Sequence, residues 1–150
     1  PALQQVVAIQ VDRSLAELGA VRVARTQLKQ VFQNLIVNAA ESIREAGRER
    51  GSLRISVAVL PADGGDRLQL SFADNGVGIA SGDLPHVFDK GFSTKPAATN
   101  SGIGLHWSAN TINALGGSIR AESPGPNRGA TLYIVLPLER AVTASLKNVA

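Results

Sequence analysis

The sequence predicts an α/β (α+β) fold, a two-layer sandwich in which a mixed, mostly antiparallel sheet carries its helices on one face. Three observations predict it. Several stretches alternate apolar and polar residues with a period of two, as half-buried strands do. Two longer stretches carry a single apolar stripe at helical spacing. The order is strand, helix, hairpin, long loop, helix, hairpin, which makes most strand neighbours antiparallel.

Taken in order, Val7, Ile9 and Val11 alternate with Ala8, Gln10 and Asp12 and form a first strand. A short extended piece, 20–23, follows. The longest helical signal runs from Thr26, a suitable N-cap, to Ala46, with Gly47 as its C-terminal stop. Its apolar stripe is Leu28, Val31, Phe32, Leu35, Ile36, Ala39 and Ile43. Residues 52–60 alternate through Leu53, Ile55, Val57 and Val59, and 67–73 through Leu68, Leu70 and Phe72. The turn 61–66 between them makes a hairpin. Residues 80–101 have no sustained period beyond a short helix at 84–88, and a loop of this length in a compact domain is functional or mobile. A second helix begins near Gly102, with Leu105, Ser108, Ala109, Ile112 and Leu115 inward and Gly116 and Gly117 at its end. Trp107 falls outside that stripe and is expected either to be exposed or to fold over the neighbouring loop. Strands at 118–123 and 130–138 close the fold, and 139–150 form a tail.

Composition narrows the function classes. A chain of 150 residues is one domain by size, and 44% hydrophobic residues suffice for a core. With aromatics at 4%, aliphatic side chains must fill it. The net charge of +3 comes without a basic run, so no nucleic-acid partner is expected. No cysteine is present, which excludes disulfides and fits an intracellular chain. No apolar run approaches the ~20 residues of a membrane span, and no signal peptide is visible. The start at Pro1 rather than Met suggests an excised or processed piece.

Three local patterns carry chemistry. The run Asp74-Asn75-Gly76-Val77-Gly78-Ile79 ends a strand on a carboxylate followed by two glycines. The carboxylate can accept from an exocyclic amine, and glycines let backbone approach a flat ligand. A tight turn after a strand explains the same residues. Asn34, Asn38 and Glu41 share one polar edge of the first long helix, at about 100° per residue. Asparagine is a poor interior helix residue, and an amide oxygen suits Mg²⁺, which takes few protein ligands and completes its shell with phosphates and water. A plain exposed polar face is the competing explanation. The start of the second helix, 100–105, is glycine-rich, and such an end offers free N–H groups and a positive dipole to an anion. A loop that needs positive φ would also look this way.

Together these patterns resemble the ATP-binding catalytic domain of bacterial sensor histidine kinases, of the Bergerat-type superfamily shared with DNA gyrase and the ninety-kilodalton heat-shock chaperone. Asn34 to Ala39 resembles the N box and Asp74 to Ile79 the first glycine box. Phe88 to Lys95 resembles the F box, Ser101 to Leu105 the second glycine box, and Arg128 to Leu132 the last glycine-threonine box. The resemblance implies that residues 1–138 are an ATP-binding catalytic domain. It implies that Asp74 accepts from the adenine amine, with Gly76, Gly78, Ile79 and Thr131 along that edge. Asn38 holds Mg²⁺, and Asn34 lies beside the phosphates. Gly102, Gly104 and Leu105 present the helix start to phosphate, and 88–101 form a lid from which Lys95 reaches phosphate oxygens. Asn34 and Lys95 are the implied catalytic residues, ATP and Mg²⁺ the implied cofactors.

The implied activity is transfer of the γ-phosphate to a histidine on a separate dimerisation hairpin, with a response regulator downstream in two-component signalling. The implied location is cytoplasmic, with no direct membrane contact by this domain even where the parent kinase is membrane-anchored. The alternatives are an ATP-hydrolysing relative and an anti-sigma-factor serine kinase of the same superfamily. Three departures stand out. Asn34 replaces the water-activating Glu of the hydrolytic relatives, Glu41 replaces a basic residue, and Asn100 and Ser101 interrupt a glycine-rich run. Neither His86 nor His106 has the sequence context of a phosphoacceptor.

Overall fold

The computed structural model describes residues 6–92 and 103–139. Five strands form one sheet in the order β1-β2-β3-β5-β4, where β1 is Val6–Val11, β2 Arg50–Leu60, β3 Arg67–Asp74, β4 Ser118–Glu122 and β5 Ala130–Pro137. The β1–β2 pair is parallel and the other three pairs are antiparallel. The helices are α1 (Arg13–Glu17), α2 (Arg25–Glu45) and α3 (Ile103–Ala114), with a single 3-10 turn at Leu84–His86 inside the short helix expected there. The predicted two-layer class and the two hairpins are present as expected.

The core lies between one sheet face and the apolar stripes of α2 and α3. Leu28, Val31, Leu35 and Ala39 of α2 and Ile112 of α3 meet Leu53, Leu68, Leu70, Phe72, Leu132, Ile134 and Leu136. Burying each large aliphatic side chain contributes about 1.5–3 kcal/mol. Phe32 and Phe72 add a tilted ring pair at 5.5 Å. The opposite face of the sheet is polar: Ser56 and Ser71 share a 2.6 Å hydrogen bond, and Arg120 stacks over Tyr133 at 3.9 Å.

Four expectations need correction. α2 begins at Arg25 with Ala24 as its N-cap and no side-chain cap, so Thr26 is not the cap. The Leu28 N–H already bonds the Ala24 carbonyl at 2.9 Å, two residues sooner than a Thr26 cap implies. The piece at 20–23 is a single bridge at Val21, while α1 went unpredicted because five residues carry no period. α1 is set by Asp12, whose carboxylate accepts from the Ser14 N–H at 3.0 Å. That bond, followed by the Arg54 guanidinium 3.0 Å away, holds the Asp12 carboxyl below its ordinary range. Ile9 and Val11 lie in register with Leu53 and Ile55 but are 52% and 62% exposed, because β1 is the sheet edge. Ser123 lies just past β4, in the loop to β5. The expected tail lies outside the described residues except for Glu139, whose carbonyl accepts from the Arg22 N–H. Among the described residues no helix is long and apolar enough to cross a membrane.

Candidate functional site

β3 delivers Asp74 to the end of the sheet on its helix-covered face, in line with Leu68, Leu70 and Phe72. The loop that follows is clamped from four sides. Ser42 of α2, itself buried, accepts from the Val77 N–H at 3.0 Å. Asn75 pairs with β2, its Oδ1 accepting from Ser52 at 2.8 Å and its Nδ2 donating to the Arg50 carbonyl at 3.1 Å. Arg48 donates to the Asn75 and Asn127 carbonyls. Ser123 accepts from the Ile79 N–H at 2.9 Å and donates to the Gly129 carbonyl at 2.7 Å. Asp74 Oδ1 accepts from the Gly76 N–H at 2.8 Å, so the tight-turn explanation also holds.

Two adjoining cavities open beside this loop. The inner one, about 110 Å³, has Val77, Ile79, Val87, Leu105 and Leu132 as apolar walls and Asp74, Asp83, Asn38 and Ser42 as polar groups. The outer one, about 530 Å³, is lined by the amides of Gln30, Gln33, Asn34 and Asn38, with Glu41, Gly104 and Phe92. Asn38, Phe92 and Leu105 border both cavities. A flat apolar group with one hydrogen-bonding edge suits the inner cavity, and a hydrated polar group suits the outer.

The sequence-predicted residues are largely brought together. Asp74, Gly78, Ile79, Asn38 and Leu105 line the inner cavity, and Asn34, Asn38, Gly104 and Leu105 the outer. Asn34 is bonded on both sides of its amide. Its Oδ1 accepts from Gln30 at 3.2 Å, and its Nδ2 donates to Ser108 Oγ at 3.3 Å and more weakly to the Gly104 carbonyl at 3.5 Å. Lys95 and Gly102 lie outside the described residues, as does the lid beyond Phe92.

Two placements are corrected. Thr131 pairs with Ala73, whereas Ala130 stands opposite Asp74 and lines the inner cavity. Strand side chains alternate faces, so Thr131 points with Tyr133 to the polar side of the sheet. Gly76 is buried behind the wall, where an added Cβ would collide with Ser42, so packing rather than a ligand demands this glycine. Sequence reasoning missed Ser42, Ser123, Val87 and Ala130. Ser42 carried a signal, as a hydroxyl one turn beyond Asn38.

The fit of a divalent cation follows from the donor set. Among the described residues no group of three His, Cys, Asp or Glu side chains could hold a metal. The outer cavity offers the hard oxygens of Asn38, Asn34 and Glu41. That set suits Mg²⁺ held mainly by ligand phosphates and water.

Residues 23–140 match the family model described as histidine kinase-, DNA gyrase B- and HSP90-like ATPase. The chain is 36% identical over 122 residues to the signal transduction histidine-protein kinase AtoS of Escherichia coli (strain K12), covering 81% of this chain and 18% of that protein. It is 35% identical over 141 residues to the sensory histidine kinase/phosphatase NtrB of Rhizobium leguminosarum bv. phaseoli, covering 87% of this chain and 35% of that protein. The chain therefore spans about a fifth to a third of these relatives. Full-length ShkA in complex with AMPPNP superposes with a TM-score of 0.72 at 22% identity, over 94% of this chain and 27% of that one. The mycobacterial sensor histidine kinase MprB does so with 0.69 at 21% identity, over 90% and 84%. At these identities the superpositions show the shared fold.

Proposed function

This chain belongs to the histidine kinase-, DNA gyrase B- and HSP90-like ATPase family, and from that premise we propose that it binds Mg-ATP and donates the γ-phosphoryl group to a histidine on a separate dimerisation hairpin of a sensor kinase. The observation that carries this reading is the pairing of cavities, a largely apolar slot with the strand-end carboxylate of Asp74 in its lining beside an amide-lined chamber. The base enters the slot with its amine toward Asp74. The phosphates lie in the outer chamber near Asn34, Asn38 and the start of α3, and Lys95 reaches them from the lid. Asn38 would hold Mg²⁺, and the ion would supply charge neutralisation to the phosphates. In the transfer, a bond forms between phosphorus and an imidazole nitrogen of the acceptor. The bond to the β-phosphate oxygen breaks, ADP leaves, and the imidazole proton passes to solvent.

Asn34 favours transfer over hydrolysis. Its amide is committed to Gln30 and Ser108 and cannot take a proton, so water at this place has no general base there. This sets the histidine-kinase reading above the ATP-hydrolysing and serine-kinase alternatives. Trp107, 37% exposed on α3, offers an aromatic contact to the incoming hairpin. A response regulator acts downstream in the same reading.

The metal assignment has its own test. Calorimetric titration with a non-hydrolysable ATP analogue is run with Mg²⁺ and with a chelator. Wild-type protein is expected to bind more tightly with Mg²⁺. Asn38→Ala is expected to lose most of that metal-dependent gain while retaining the weaker metal-free binding. A variant that keeps the full gain contradicts the role of Asn38.

A further inference from the structure

His106 lies on α3, half-buried, with both ring nitrogens engaged. Nδ1 is 3.0 Å from the Phe88 carbonyl oxygen, and Nε2 is 3.2 Å from Asn110 Nδ2. A carbonyl oxygen only accepts, so Nδ1 carries a proton. The Asn110 amide N–H donates, so Nε2 presents its lone pair. The ring is thereby held with Nδ1–H toward Phe88, between the next turn of its own helix and the segment that opens the lid.

Val87 is buried and Phe88 packs against the core, but among the described residues the segment's other hydrogen bonds are local. Between Asp83 and Phe92 the backbone bonds are local: His86 to Asp83, Asp89 to His86 and Phe92 to Asp89, at 2.9, 2.9 and 3.1 Å. The His86–Asp89 side-chain pair is local as well. Val87 and Phe92, however, line the cleft, and Phe92 borders both cavities. The placement of Phe92 therefore depends on how these turns are held against α3, and the His106 bond reaches the segment from that helix.

We propose that His106 is a positioning residue for nucleotide binding, latching the 83–92 turns to α3 so that Val87 and Phe92 close the cleft over the base and first phosphates. The proposal rests on the nucleotide reading above. It requires the imidazole as a donor to Phe88 and assigns it no contact with the ligand. Asparagine can replace that donor, since its Nδ2 sits at about the same distance from the backbone as Nδ1 of histidine. Alanine cannot.

The test compares wild type, His106→Ala and His106→Asn in the whole chain. Nitrogen-15 NMR of the imidazoles, without nucleotide, is expected to show His106 as the Nδ1–H tautomer, its resonances identified by their loss in His106→Asn. Amide exchange at His86, Asp89 and Phe92 is expected to quicken in His106→Ala. Calorimetric affinity for a non-hydrolysable ATP analogue is expected to fall about fivefold in His106→Ala, the equivalent of one hydrogen bond, and to recover in His106→Asn. An Nε2–H tautomer, unchanged affinity in His106→Ala, or an asparagine variant no better than alanine overturns the latch. Wild-type protein that binds no analogue overturns the nucleotide reading instead, and the tautomer and exchange data separate the two failures.

Discussion

Asp74→Asn is expected to weaken binding of an ATP analogue by about 5- to 150-fold while leaving the fold intact, the equivalent of about 1–3 kcal/mol for a polar pairing lost in a shielded site. The geometry explains why the two effects separate. Asp74 Oδ1 accepts from the Gly76 N–H at 2.8 Å, and that bond sets the turn. An asparagine keeps this acceptor by placing its own Oδ1 there. Its amide nitrogen then faces the cleft, where the proposed ligand also presents an amine. Two donors meet, and the base loses its partner without disturbing β3. Calorimetric titration and a denaturation midpoint measured on the same sample check both halves. Unchanged affinity removes Asp74 from the site, and a collapsed midpoint makes it a structural residue.

Two glycines are expected to respond in opposite ways. Gly78 has φ +72°, and a Cβ there would collide with the Gly125 carbonyl and crowd the Gly129 carbonyl. The left-handed conformation costs an alanine about 1–2 kcal/mol and the overlap with backbone about 1–3 more, so Gly78→Ala is expected to destabilise by roughly 2–5 kcal/mol. This is a large part of the ~5–15 kcal/mol that holds an ordinary domain together. Gly104 sits in the first turn of α3, and among the described residues its added Cβ would meet only the Asn34 side chain, at 3.8 Å. Gly104→Ala is therefore expected to keep or slightly raise stability, since alanine is the better helix residue. If the α3 backbone approaches phosphate, the same change weakens analogue binding. Denaturant melts of both variants, with titration of Gly104→Ala, decide the matter. A stable Gly78→Ala would show that the loop yields, and full affinity in Gly104→Ala would remove the close approach.

The parts of the fold that were legible are those with a sustained period. The stripe from Leu28 to Ile43 and the alternation through Leu68, Leu70 and Phe72 each repeat often enough to fix type and buried face. α1 offers five residues and no repeat, so only Asp12 could have announced it. The exposure of Ile9 and Val11 belongs to the sheet order, which puts β1 at the edge. Within the site, Asp74 and Asn38 were legible because a carboxylate at a strand end and an asparagine inside a helix both violate local preference. Thr131 was misplaced by a single position, and in a strand one position exchanges the cleft for the opposite face. Ser42 showed only as a hydroxyl one turn beyond Asn38 and Ser123 not at all, because each acts on a backbone N–H far along the chain, 35 and 44 residues away.

The central claim is that the chain holds ATP as a phosphoryl donor for a nucleophile outside itself. The most direct measurement uses γ-labelled ATP with the chain alone and then with the parent kinase's helix hairpin supplied in trans. With the chain alone, no stable label and only slow phosphate release are expected, because Asn34 supplies no base and neither His86 nor His106 has an acceptor's context. With the hairpin present, label is expected on the hairpin's histidine, and Trp107→Ala is expected to reduce it. Label on His86 or His106 of the chain alone, or rapid phosphate release without the hairpin, contradicts the account.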